Sequence, residues 1–92
     1  MQEVFGIAAF RSRQQVLLME NALRRDGANV KVITTPRDVA LGCGLSVRFG
    51  MDDLAKVERA IKQQRPTNLI GVYRVERTGA ARPRLTPIAI YR

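Results

Sequence analysis

The residues with the most chemical potential in this sequence are one thiol and the cations spaced around it. Cys43 is the only cysteine, and it stands between Gly42 and Gly44, with Arg37 six residues before it and Arg48 five after. Flanking residues without side chains let another molecule approach the sulfur closely, and glycine accepts backbone angles that a β-carbon forbids. Read for function, this is a reactive sulfur on a loop. Read for structure, it is a small apolar residue at a tight turn, because free cysteine is among the most buried residue types. The chain has no histidine, so neither a Ser-His nor a Cys-His pair can form within it. A zinc site lacks its usual ligands, and a single cysteine makes no internal disulfide. The expectation is no metal and no cofactor, with Cys43 as the one candidate for covalent chemistry.

Composition bounds the rest. The 92 residues suit a single domain with a modest core. Sixteen Lys and Arg face eight Asp and Glu, a net charge of +8. The surplus is uneven: residues 1–46 carry six basic and four acidic side chains, and residues 47–92 carry ten and four. The last sixteen residues, 77–92, hold four arginines and no acid. Such an excess attracts polyanions and speeds encounter with acidic proteins without choosing between them. An aromatic share of 5% argues against base-stacking platforms. The longest apolar run near the start, residues 4–10, is too short to span a membrane and lacks the flanks of a signal peptide. A cytoplasmic location without membrane contact is the expectation.

The elements that must position these residues show in the periodicity. Residues 4–10 form a continuous apolar run that Arg11 stops, which reads as a central strand. Ser12 then opens a capping-box pattern with Gln15, ahead of a helix whose inner face is Val16, Met19, Ala22 and Leu23 and which Gly27 ends. Residues 30–34 and 45–49 alternate as strands on either side of the Pro36–Gly44 loop. Asp52 and Asp53 are placed to cap a second helix with Leu54, Val57, Ala60 and Ile61 inward, closed by Pro66. Residues 69–75 are a fourth strand. This order predicts an α+β fold, a ferredoxin-like β-α-β-β-α-β two-layer sandwich with two helices on one face of a four-stranded antiparallel sheet. The division expected is a domain over 1–76 and a basic C-terminal extension over 77–92. Residues 85–91 of that extension could add an edge strand, confined there by Pro87.

In that arrangement the end of the first strand and the turn between the second and third lie at one end of the sheet. Arg11, Ser12 and Arg13 then come beside the cysteine loop. A helix amino terminus and nearby guanidinium groups favour thiolate over thiol, lowering a pKa from about 8.5. Arg11, Arg13, Arg37 and Arg48 are the candidates for that effect.

At the level of motif, Thr35-Pro36-Arg37, then Cys43-Gly44-Leu45, then Arg48-Phe49, resembles the small bacterial proteins grouped as selenium/sulfur (Se/S) carrier-like. The resemblance covers about residues 4–75 and includes Ser12 after the first strand. Two departures are Ala40-Leu41-Gly42, where members often carry serines, and Arg13, where threonine is common. The resemblance implies a sulfur or selenium carrier with Cys43 as the persulfide-type acceptor and Ser12, Arg37, Gly44 and Arg48 around the bound atom. It also implies donor and acceptor proteins as partners, and an accessory role rather than that of a self-sufficient enzyme. A lone cysteine fits, because no neighbouring thiol would discharge the adduct. Two readings from other classes stand beside it. One is a nucleic-acid or polyanion-binding module using the basic second half. The other is an interaction domain whose open sheet face is buried in a homo-oligomer.

Overall fold

The computed structural model describes residues 2–37, 39, 44–79 and 82–88. Along the chain run β1 (Gln2–Phe10), α1 (Arg13–Arg25), β2 (Val30–Thr34), β3 (Leu45–Phe49), a 3-10 turn (Met51–Asp53), α2 (Leu54–Gln64), β4 (Leu69–Thr78) and β5 (Arg84–Ile88). The strands form one sheet in the order β2-β3-β1-β4-β5, with every neighbouring pair antiparallel. β1 and β2 therefore point the same way, with β3 reversed between them. The expected four-stranded sheet is corrected to five. β4 continues past Val75 to Thr78, Gly79 turns with φ of 55°, and the returning strand pairs Leu85 with Val75 and Pro87 with Tyr73. β5 is an edge strand, the position that tolerates a residue without an N–H.

Both faces of β1 are buried. Ala8 and Phe10 face α1 and α2, where Val16, Met19 and Leu23 from one helix and Val57, Ala60 and Ile61 from the other close the main core with Val30, Val47, Phe49 and Val72. Phe5 and Ile7 face the other way and form a second cluster with Val75, against which Ile33, Val39, Tyr73 and Leu85 pack. Helices cover only the first face. On the second, coverage comes from β5 and from Val39, within the segment between β2 and β3.

The helix ends follow local chemistry, with two departures from expectation. Ser12 Oγ accepts from the Gln15 amide at 3.3 Å, which caps α1. The reciprocal half of the capping box is absent, because the Gln15 side chain is spent on the approach to β4. Its Oε1 accepts from the Asn68 amide at 3.1 Å and its Nε2 donates to Thr67 Oγ1 at 3.3 Å. α1 ends at Gly27, whose φ of 87° is strained for residues with a β-carbon. Neither aspartate makes a side-chain cap: the chain enters α2 through the 3-10 turn, and Asp53 instead pairs with Lys56 at 3.4 Å.

Gly6 is the tightest point of the main core. The ring of buried Phe49 lies where a Gly6 β-carbon would go. Gly6→Ala is expected to destabilise the fold by about 1–3 kcal/mol through overpacking, read as a lower denaturation midpoint with unchanged far-ultraviolet circular dichroism. Adding Phe49→Leu should restore part of the loss. Equal stability of Gly6→Ala and wild type would show that the ring has another place to go.

Candidate functional site

The base of the cysteine loop is built by backbone pairing. β2 and β3 end their ladder at Thr34 and Leu45, and the Thr35 amide extends it by donating to the Gly44 carbonyl at 3.0 Å. Leu45 also faces Phe10, the last residue of β1. From there the chain turns through Arg11, whose amide donates to the Asn68 carbonyl at 2.9 Å, into Ser12 and α1. The loop base and the amino end of α1 thus share one end of the sheet. Cys43 itself, with Asp38, Ala40, Leu41 and Gly42, lies outside the described residues.

Six other residues stand out in the sequence as candidates, of which Arg11 and Arg13 are exposed around the start of α1. Ser12 is the α1 cap, and its hydroxyl oxygen is engaged by the Gln15 amide. Arg37 is exposed beside the turn in which the Val39 amide donates to the Pro36 carbonyl at 3.0 Å, and no carboxylate among the described residues pairs with it. Gly44 is needed for close approach: a β-carbon there would sit 3.2 Å from Thr35 Oγ1 and 3.5 Å from the Phe10 carbonyl oxygen. Arg48 is directed elsewhere. Its guanidinium pairs with Glu3 at 2.9 Å and lies 3.8 Å from the centre of the Phe5 ring. Arg48 opposes Ile7, so it starts about 10 Å along β3 from Leu45, and both its partners lie farther still from the loop.

Sequence reasoning missed the most buried polar feature of this end. Thr35 Oγ1 and Ser46 Oγ are 2.8 Å apart, and both residues are buried on the helix-free face. Alternation marks Ser46 as facing away from the helices, which suggests solvent. The second cluster makes that face an interior instead. Tyr73 shares this face, its ring folded along β4 with the phenol oxygen 2.8 Å from where a Gly71 β-carbon would stand. The glycine in that strand is the signal that a ring lies flat upon it.

Comparison with known proteins places this geometry. The family described as "Putative Se/S carrier protein-like" matches residues 5–74. The chain belongs to that family. The Se/S carrier-like match runs from the second cluster's Phe5 through the whole cysteine loop and stops inside β4, before β5. Ser12, Arg37, Cys43, Gly44 and Arg48 all fall within it. No curated protein and no solved structure matches the chain. Among the described residues no helix is long and apolar enough to cross a membrane, and no cluster of three metal-ligating side chains is present.

The Thr35–Ser46 pair generates a direct test. Thr35→Val leaves Ser46 Oγ buried without its partner and is expected to cost about 1–3 kcal/mol. Ser46→Ala should cost a similar amount, while the double variant should lose clearly less than the two losses added. Urea denaturation of the four proteins measures this coupling. Strict additivity would show that the two hydroxyls do not depend on each other.

Proposed function

We propose that this Se/S carrier-like protein holds a sulfur or selenium atom as a persulfide-type adduct on Cys43 and delivers it to a partner enzyme. The observation that carries this reading is the family match over residues 5–74, which spans the whole loop of the only cysteine. Loading is a thiol exchange that balances without an outside oxidant. The Cys43 thiolate attacks the terminal sulfur of a donor persulfide, a new S–S bond forms, and the donor leaves as its own thiolate. Delivery repeats the step with the acceptor as nucleophile. A loop pinned at its base beside the amino end of α1 suits this chemistry, since helix amides and a free guanidinium favour the anionic sulfur. Arg11, Arg13 and Arg37 are exposed and in no ion pair among the described residues, whereas Arg48 is held by Glu3 and Phe5.

On this reading the first four strands and the two helices are a ferredoxin-like unit, with β5 an added edge. The basic extension beyond residue 76 serves assembly or encounter rather than sulfur chemistry. A reducing cytoplasm suits a lone working thiol. Donor and acceptor proteins are its partners.

Incubation with a cysteine desulfurase and free cysteine, followed by intact mass, tests the proposal. The wild type should gain one sulfur atom, removable by a dithiol reductant, and Cys43→Ser should gain none while remaining folded. Alkylation of the native protein should label Cys43, and Arg37→Ala should move the rate-against-pH curve to higher pH. A thiol that stays unlabelled until denaturant is added makes Cys43 a core residue, and the carrier reading falls.

A further inference from the structure

Two leucines on the outer side of α1 are open to water, Leu17 at 44% and Leu18 at 53% exposure. The inward stripe of that helix is already complete with Val16, Met19 and Leu23. Leu18 sits between two shallow depressions. One, of about 310 Å³, lies between α1 and the end of α2 and is bordered by Gln64, Arg65, Thr67 and Arg25. The other is bordered by Asn21, Arg24 and Arg25. No carboxylate lines either of them. Arg24 is answered by Glu20 at 3.0 Å. Arg25 only donates to the Asn21 carbonyl at 3.4 Å, and neither Arg25 nor Arg65 has a carboxylate partner among the described residues. Arg65 also occupies a left-handed conformation, φ 47° and ψ 57°, where glycine is the usual residue.

A cation at the carboxyl end of a helix is favourable by itself, and that would account for Arg25 and Arg65 taken singly. It does not account for the uncovered Leu18, which borders the same depression as both, or for the uncovered Leu17 next to it in the chain. A nucleic-acid backbone gives leucine nothing to pack against, and two residues make too short a stripe to hold a membrane surface. An apolar strip flanked by unanswered guanidinium groups is complementary to an amphipathic helix with acidic flanks.

We propose that the outer face of α1 docks an acidic amphipathic helix of a partner protein. The partner's apolar stripe covers Leu17 and Leu18, and its carboxylates meet Arg25 and Arg65. Leu18 lies six residues along α1 from Ser12, about 9 Å, on the helix-covered side of the sheet and opposite the face on which Val39 packs. If Cys43 carries sulfur as proposed above, the docked protein is its donor or acceptor, but the surface itself does not depend on that reading.

The test uses the isotopically labelled full chain and two synthetic helical peptides. Both carry leucines at i, i+3, i+4 and i+7, flanked by glutamates in one and by lysines in the other. The acidic peptide should shift the amide signals of α1 and of residues 64–67, and its binding should weaken with salt. Leu18→Asp should weaken it about tenfold or more. Arg25→Glu with Arg65→Glu should abolish it and confer binding of the lysine peptide. Cys43→Ser should bind as wild type does, which separates this surface from sulfur loading. The proposal is overturned by the absence of saturable binding, by shifts that map to residues 82–88, or by equal binding of both peptides to wild type. An oligonucleotide or anionic vesicles occupying the same residues more tightly than the acidic peptide would overturn it as well.

Discussion

β1 is closed on both faces, and the position of each other element follows from how it covers one of them. Ile7, Ala8, Ala9 and Phe10 have no exposed surface, although Ile7 and Ala9 point opposite to Ala8 and Phe10. Burying one large apolar side chain is worth roughly 1.5–3 kcal/mol, so neither side can be left wet in a chain this small. Two helices at helical spacing close one side. The other has no helix among the described residues, and is closed by Val39, Tyr73 and Leu85 over Phe5, Ile7 and Val75. Val39, from the segment that holds the Pro-Arg and Cys-Gly-Leu motif, is thus part of that cover. Its base cannot open freely, because Thr35, Gly44 and Ser46 lock it by one backbone bond and one buried hydroxyl pair.

That double burial explains which features were legible in the sequence. The unbroken apolar run before Arg11 reads as a central strand, and the inward stripes of both helices lie where their spacing puts them, whereas the helix-free face, expected to be open, carries the second apolar cluster. The site was harder. Ser46 and Arg48 occupy alternate positions on the same face of β3, and alternation alone treats them alike. One is fully buried against Thr35, while the other reaches out to Glu3 and Phe5. What separates them is the long-range register that sets Ser46 opposite Ala9, near the loop, and Arg48 opposite Ile7. Gln15 misled for a similar reason. A capping box is a local pattern, and Asn68, 53 residues away, outcompeted it. The fifth strand was visible only as a candidate, since Pro87 argued against any place but an edge.

Charge is organised more tightly than composition suggests. The second half of the chain holds most of the basic surplus, yet on the helix-free face Arg48 and Arg77 both approach Glu3, at 2.9 and 3.8 Å. They also lie over Phe5, at 3.8 and 6.0 Å from the ring centre. A nucleic-acid base could stack on Phe5 only by displacing the Arg48 guanidinium, a cation–π contact reinforced by an ion pair. Recognition of RNA through this sheet would need that aromatic free. The other aromatic described on this face is Tyr73, half-buried, and it lies flat on Gly71.

On the function proposed above, the cargo atom has to be shielded in transit and exposed at exchange. The two ends of the loop that contains the only cysteine are pinned to the sheet at Thr35 and Gly44. The pinning residues are small or hydroxyl-bearing, and a β-carbon at Gly44 would lie tight against Thr35 Oγ1, at 3.2 Å, and in ordinary contact with the Phe10 carbonyl oxygen, at 3.5 Å. A larger residue there would press on Thr35, whose hydroxyl pairs with Ser46 Oγ. The buried pair, the glycine and the second apolar cluster are therefore one constraint: the face that closes the core of β1 also fixes the anchorage of the loop that contains Cys43.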